Sequence, residues 1–289
     1  MDIRDITFVI KGSILRTAAV QDESDLDIPD PMAVIDRLKI QSAPKIDIFT
    51  FGQRIPETVP KYRFPMEWDS IAALDYKDHK FWFEKILDDK TRNMVRKAGK
   101  KGVEIRTADF DDDLIKGIVD IYNETPVRQG RPFRHFGKTF DEAKRANATH
   151  LERSVFIGAY CGPELIGFIK MVYGDRTARA EQIISKIAHR DKAPTNALLN
   201  EAVKLCEEHA VPYLVYGIWP SKESFAQFKK NNGFKEYRLP RYYVPLSSKG
   251  RIGLKLGLHK ELKQRVPQFI LTGLRDFRER WYDLRKKTG

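Results

Sequence analysis

Apolar residues recur every three or four positions over Phe81–Lys100, where Trp82, Phe83, Ile86, Leu87, Met94, Val95 and Ala98 fall along one side of a helix. The same spacing returns over Asp111–Glu124, with Leu114, Ile118 and Ile121 placed for burial. Asp111, Asp112 and Asp113 sit at its positive end. Thr139 followed three residues later by Glu142 is a capping-box pattern and predicts a helix running to about Leu151. Asn196–Glu208 and Glu223–Asn231 are the remaining strong helical stretches, with Ser221 to Ser224 as a cap for the second. Between them the pattern changes to short runs typical of strands: Val103–Thr107, Val155–Tyr160, Leu165–Tyr173, Thr177–Ile187, Tyr213–Gly217 and Tyr237–Val244. Cys161-Gly162-Pro163-Glu164 joins two of these as a hairpin turn. The first 75 residues are less regular, with prolines at 29, 31, 44, 56, 60 and 65. They offer two β-like runs, Ile6–Ile10 and Ile46–Phe51, and one helix, Met32–Ile40.

From Val103 the order is β-α-α-β-β-β-α-β-α-β. A hairpin run followed by a β-α-β crossover predicts an α/β (α+β) fold: a mixed sheet with helices on both faces. The chain divides into residues 1–90, an irregular N-terminal region, 91–248, the regular domain, and 249–289, a basic tail. In the tail Leu256, Leu262, Phe269, Ile270, Leu274, Phe277, Trp281 and Leu284 alternate with Lys and Arg. It reads either as a helix packed on the domain with a solvated basic face or as an amphipathic helix resting on an anionic membrane.

Composition narrows the partners. Fifty-two Lys and Arg against 40 Asp and Glu leave a net charge of +12, which suits an anionic partner: nucleic acid, a phosphorylated substrate or a lipid surface. There is no apolar run near the length that spans a bilayer, and the acidic N-terminus does not resemble a signal peptide. Cys161 and Cys206 both lie in apolar segments and read as buried free thiols in a reducing cytoplasm. There is no metal-ligand spacing, no P-loop and no nucleophile elbow.

The basic helix end Arg92-Asn93-Met94-Val95-Arg96-Lys97-Ala98-Gly99-Lys100-Lys101-Gly102-Val103 leads straight into the first strand of this order. Cations favour a helix C-terminus, and Gly102 suits a left-handed cap. Together with the β-α order over about 103 to 246, and with Phe228-Lys229-Lys230-Asn231-Asn232-Gly233-Phe234, this segment resembles the FemAB-like branch of the GNAT (acyl-CoA N-acyltransferase) superfamily. The resemblance implies a mostly antiparallel central sheet flanked by helices, and a reduced first GNAT-like unit within residues 1–90. It implies acyl or aminoacyl transfer to an amino group on a phosphorylated or lipid-linked sugar or cell-envelope precursor. The donor would be acetyl-CoA or another acyl-CoA, with aminoacyl-tRNA as the alternative, and no metal. The expected location is cytoplasmic, peripheral at the inner face of the membrane through the tail. The competing reading is a noncatalytic module of the same shape that binds RNA or a membrane surface.

The resemblance also places the chemistry where the strands at 177–187 and 213–217 splay apart. Glu181 is then the candidate base, Tyr216 a donor to the leaving group and His189 a proton shuttle. The stretch from His189 to Asn196 lacks the glycines of an ordinary CoA-pyrophosphate loop, which leaves Arg190, Lys192, Thr195 and Asn196 to receive a donor's phosphate. The loop from Thr125 to Lys138 interleaves cations and aromatics. Arg128, Arg131, Phe133, His135 and Lys138, with Lys229 from the Phe-Lys motif, are the expected acceptor contacts.

Overall fold

The structure is a computed structural model that describes residues 2–3, 6–23, 28, 30–40, 44–220 and 223–259. The proposed cap at Ser221 and the tail beyond residue 259 lie outside these residues. In chain order the strands are β1 (Asp2–Ile3), β2 (Ile6–Lys11), β3 (Thr17–Val20), β4 (Ile48–Gly52), β5 (Met66–Asp75), β6 (Val103–Ala108), β7 (Val127–Arg128), β8 (Arg131–Pro132), β9 (Ser154–Cys161), β10 (Glu164–Tyr173), β11 (Thr177–Ser185), β12 (Tyr213–Ile218) and β13 (Lys235–Pro245). The helices are α1 (Pro31–Ile40), α2 (His79–Phe81, continuing as a π-turn over Trp82–Ile86), α3 (Asp89–Lys100), α4 (Asp112–Asn123), α5 (Phe140–Asn147), α6 (Pro194–Glu208), α7 (Glu223–Asn231) and α8 (Ser248–Lys255).

Eleven strands form one sheet in the order β1-β2-β3-β4-β13-β5-β12-β11-β10-β9-β6. Neighbours are antiparallel except at β3/β4 and β11/β12, which are parallel. Each parallel pair is joined by a helix, α1 or α6, and each is preceded by an antiparallel hairpin, β2/β3 or β10/β11. The halves interlock at the centre: β13, from the C-terminal half, pairs with β4, and β5, from the N-terminal half, pairs with β12. The sheet is therefore continuous across the whole molecule. A cut at residue 90 does not separate two cores, because Ala72, Leu74, Trp82 and Leu87 share one core with Ile157, Leu198 and Leu214.

The single helix expected over 81–100 is two pieces. Leu87 is extended (φ −64°, ψ 139°), and Asp88 caps α3 by accepting from Thr91 N at 2.6 Å. Trp82 explains the break: it is buried, and its indole N–H donates to Asn232 O at 3.0 Å, pinning the first piece under the end of α7. The capping box at Thr139 and Glu142 forms, and Gly102 takes a positive φ of 73° after α3. Both cysteines are free thiols; Cys206 is buried and Cys161 half-buried. α4 and α5 cover one face over a core of Leu114, Ile118, Tyr122, Phe156 and Phe168, and α3 and α6 cover the other.

Candidate active site

β11 and β12 are in register for only three residue pairs, Thr177–Tyr213, Ala178–Leu214 and Arg179–Val215. β11 then continues to Ser185 and β12 to Ile218 without a partner between them, so the sheet opens into a wedge. Two irregularities shape it. On β10/β11, Lys170 faces Gln182 and Met171 faces Ala180, which makes Glu181 the extra residue of a bulge. On β12/β5 the register shifts between Val215 and Ile218, where Gly217 has a φ of 60° that favours glycine.

One side of the wedge carries an ion network. Lys170 rises from the middle of an otherwise apolar strand and is 1% exposed. Its ammonium donates to Thr149 O at 2.6 Å and Thr149 Oγ1 at 2.7 Å, and pairs with Glu181 Oε2 at 2.7 Å. Arg179 Nη1 lies 3.1 Å from the other oxygen, Glu181 Oε1. Burial pushes the Glu181 carboxyl up, but Lys170 and Arg179 outweigh it and hold the group below the usual carboxylate range. Glu181 is thus a fixed anion, with both oxygens engaged.

The opposite side carries a cation at the open end of β12. Lys229, projecting from α7, donates to Tyr216 O at 2.5 Å and Ile218 O at 2.8 Å, with its ammonium 4.6 Å from the centre of the Tyr216 ring. Those two carbonyls frame Gly217, where the strand bulges, so the lysine satisfies main-chain acceptors that the wedge leaves without a strand partner. Burial lowers the Lys229 ammonium to about 8 and pushes the Tyr216 phenol up to about 12. Lys229 and Glu181 flank the wedge from opposite faces. Lys170 lies over Phe156, in the core under α4 and α5, while Tyr216 packs into the core under α3 and α6.

The loop after β11 is closed by a carboxylate of the protein itself. Glu124, at the end of α4, accepts from Ile187 N and Ala188 N at 2.8 Å each and from Arg128 Nη2 at 2.9 Å. His189 is held by Glu164 at 3.2 Å, past the end of β11. Lys192 reaches Cys161 Sγ at 2.9 Å, Thr195 Oγ1 meets Ser185 Oγ at 2.9 Å, and Asn196 N donates to Ala193 O in the first turn of α6. Arg190 is exposed on the short turn before α6.

The basic aromatic loop folds back onto β11. The Arg128 guanidinium donates to Ser185 O at 2.7 Å and Ile121 O at 2.9 Å and stacks on Phe133 at 4.6 Å, so it staples the loop to the protein. His135 is 7% exposed, stacked on Tyr122 at 4.5 Å; its Nε2 accepts from Arg134 Nε at 2.9 Å and lies 3.2 Å from Gln182 Nε2. Burial first, then Lys138, Arg134 and Arg128, push this imidazole down to about 4, so it is neutral at physiological pH. Tyr122 closes the network by donating to Gln182 Oε1 at 2.7 Å. Lys138 lies over the Tyr122 ring at 5.7 Å, and Arg131 is exposed at the β7/β8 hairpin.

Sequence reasoning named Glu181, Tyr216 and Lys229, which the fold gathers around the wedge, but missed Lys170, Thr149, Arg179 and Glu124. Lys170 carried a readable signal, a lone cation inside the apolar run Leu165–Tyr173. Glu124 carried none.

No protein-family model and no curated protein matches the chain. Solved structures do match in shape. The crystal structure of FemX superposes with a TM-score of 0.59 at 13% identity, over 81% of this chain and 83% of that one. The C-terminal domain of a lysylphosphatidylglycerol synthetase from Agrobacterium fabrum gives 0.56 at 12%, over 86% and 83%. L-PGS from Bacillus licheniformis gives 0.53 at 12%, over 82% and 80%. Superposition over most of each chain, with a mostly antiparallel sheet flanked by helices in this one, makes this a FemAB-like GNAT fold.

Proposed function

We propose that the protein is an N-acyltransferase that passes an aminoacyl group from an RNA ester to the amine of an anionic or lipid-linked envelope precursor, with the reaction at the β11/β12 wedge. The observation that carries this reading is Lys229: a partly buried ammonium, anchored to two carbonyls at the mouth of the wedge and lowered to about 8. In the step itself, the acceptor nitrogen bonds to the ester carbonyl carbon and the carbonyl oxygen becomes an oxyanion. The C–O bond to the ribose then breaks, and the amine's proton leaves through water as the leaving oxygen is protonated. Lys229 is placed to stabilise the oxyanion electrostatically, and the Tyr216 phenol stays protonated as a donor to the leaving oxygen. Glu181, already held ionised by two cations, is a poor base. Its charge suits attraction of the acceptor as an ammonium.

The choice of donor rests on Glu124. Ordinary CoA-dependent members of the superfamily present main-chain amides after this strand to a pyrophosphate. Here Ile187 N and Ala188 N already donate to a carboxylate. An acyl-CoA would have to displace that anion, whereas an RNA ester needs no such cradle. Single-turnover transfer from a charged tRNA mixture to a small primary amine, followed by mass spectrometry, tests the reading, with parent and Lys229→Met compared. A drop in rate of about 10²-fold or more is expected for the variant, as for loss of an oxyanion donor. Tight acetyl-CoA binding by calorimetry, with turnover from it, would reverse the donor assignment.

A further inference from the structure

The outward face of α8 is inverted relative to an ordinary surface helix. Its inner side is glycine: a Cβ on Gly250 would lie 2.0 Å from Asp47 O, and one on Gly253 would lie 2.7 Å from Leu15 Cδ2. The helix is therefore pressed flat on the β2/β3 turn and on the start of β4. Ser247 locks it there, accepting from Gly250 N at 3.0 Å and donating to Asp47 Oδ1 at 2.7 Å. Leu254 is half-buried, but the other two apolar side chains face outward. Ile252 is 58% exposed and Leu256, four residues on, 67%; Ile14, on the turn beneath, is 78% exposed. Leu258, 42% exposed, extends the patch past the helix end.

Cations surround this patch. Lys249, Arg251 and Lys255 are exposed on α8 itself, and Lys11 and Arg16 flank the turn that carries Ile14. The acid beneath the helix, Asp47, is buried, accepts from Arg16 N and Ser247, and lies 4.0 Å from Lys249 Nζ. An exposed apolar stripe on a helix, edged with Lys and Arg, matches the interfacial helices that lie in a lipid headgroup layer.

We infer that α8 and the Gly12–Arg16 turn form a docking face for an anionic lipid bilayer, with Ile14, Ile252 and Leu256 entering the interface and the five cations meeting acidic headgroups. Charge selects this occupant over the two others at hand. A second copy would bring one basic rim against another. Residues 260–289, which follow directly, contain nine Lys and Arg against four Asp and Glu and would add positive charge to a positive rim. Both segments complement the same anionic surface.

The full chain is tested by cosedimentation with vesicles of phosphatidylcholine alone and of phosphatidylcholine mixed with phosphatidylglycerol, at low and high salt. Binding to the mixed vesicles only, weakening as salt rises, is expected. The variant Ile252→Asp/Leu256→Asp replaces exposed side chains, so its thermal melt should match the parent's while its partition falls tenfold or more, a factor of ~10 from burial of two half-exposed aliphatic chains. Three results would each overturn the inference. These are an unchanged partition in that variant, which would leave the tail as the anchor; equal binding of the parent to uncharged vesicles; and a parent dimer without vesicles that the variant abolishes. The measurement needs no turnover, so its failure leaves the transferase reading standing, and a failed transfer assay leaves this one standing.

Discussion

The sheet contains the same motif twice, and the two copies are bordered by different chemistry. In each half an antiparallel hairpin leads through a crossover helix to a parallel strand that pairs for three residues and then diverges: β3/β4 in the first half, β11/β12 in the second. In the first half the divergence borders a cavity lined by Glu23, Gly52, Gln53, Lys61 and Tyr62, and β13 braces its edge. The Arg241 guanidinium pairs with Glu23 Oε1 and with Asp69 Oδ2 at 2.6 Å each, over Gly52, where a Cβ would come within 3.3 Å of it. Gln53 folds the following segment across the gap: its amide donates to Glu57 O and Val59 O, and its carbonyl accepts from Lys61 N and the Tyr242 hydroxyl. In the second half a lysine holds the strand end from one side, and a buried lysine holds a bulge from the other. The first wedge is bordered by one cation, Arg241, set between two carboxylates, Glu23 and Asp69. The second is bordered by an anion, Glu181, and a cation, Lys229, on opposite faces of the sheet.

The sharpest way to break this contrast is Arg241→Met. It leaves Glu23, whose Oε2 is already buried without a partner among the described residues, facing Asp69 with no cation between them. A loss of roughly 3–5 kcal/mol in urea unfolding is expected, as when one partner of a buried pair is removed. A loss below ~1 kcal/mol would mean that Arg241 does not brace the first wedge. Adding Glu23→Gln should recover part of it, because the stranded charge is removed as well.

Lys170→Met makes the matching cut in the second half. Glu181 keeps Arg179 and is less buried than its partner, so the expected cost is smaller, about 2 kcal/mol. The same change lifts the Glu181 carboxyl, since its strongest stabilising contact is gone. NMR titration of that carboxyl tests whether Lys170 positions Glu181 or only fills space: a merely structural role would leave the titration where it was.

A pH scan sharpens the comparison further, because the second wedge has a buried imidazole, His135, beside it. Folded His135 binds its proton at about 4, against 6.5 for the ordinary group. Between those values the unfolded chain holds the extra proton. Stability present above pH 6.5 is therefore lost as pH falls toward 4, by about 3 kcal/mol. His135→Asn should flatten that part of the curve; a persistent slope would trace the effect to other groups.

What the sequence disclosed follows the same division. In the second half each helix carries its own periodicity and caps, such as Thr139 with Glu142, and the strand order emerges from local pattern alone. In the first half β5 looks irregular because Pro60 and Pro65 precede it and Glu67, Asp69 and Ser70 interrupt it, yet it lies at the centre of the sheet between β13 and β12. Its stability comes from pairing with strands about 140 and 170 residues away, which no local window contains. The site divides likewise. Lys229 sits in a short motif, and Glu181 sits on a strand whose alternation could be read. The bulge that isolates Glu181 and the lysine that fixes it are set by register with β10. Alternating cations and aromatics make Arg128 and His135 candidate acceptor contacts. The same alternation packs the loop against β11 and α4, with Arg128 on main-chain oxygens and His135 on Tyr122.

Glu124→Gln offers the smallest change in stability and the finest test of what the second wedge admits. A glutamine carbonyl can still accept from one of the two amides, so the loop keeps its shape. Arg128 loses its ion partner but keeps Ser185 O and Ile121 O, for a cost near 1 kcal/mol. The larger consequence is chemical. Without the carboxylate, Ile187 N, Ala188 N and Arg128 form a cluster of donors with no anion, next to the start of α6. The variant should bind inorganic pyrophosphate measurably by calorimetry where the parent does not. Equal pyrophosphate binding by both would show that the parent's loop already accepts phosphate beside Glu124, and an acyl-CoA donor would then replace the RNA ester at this wedge.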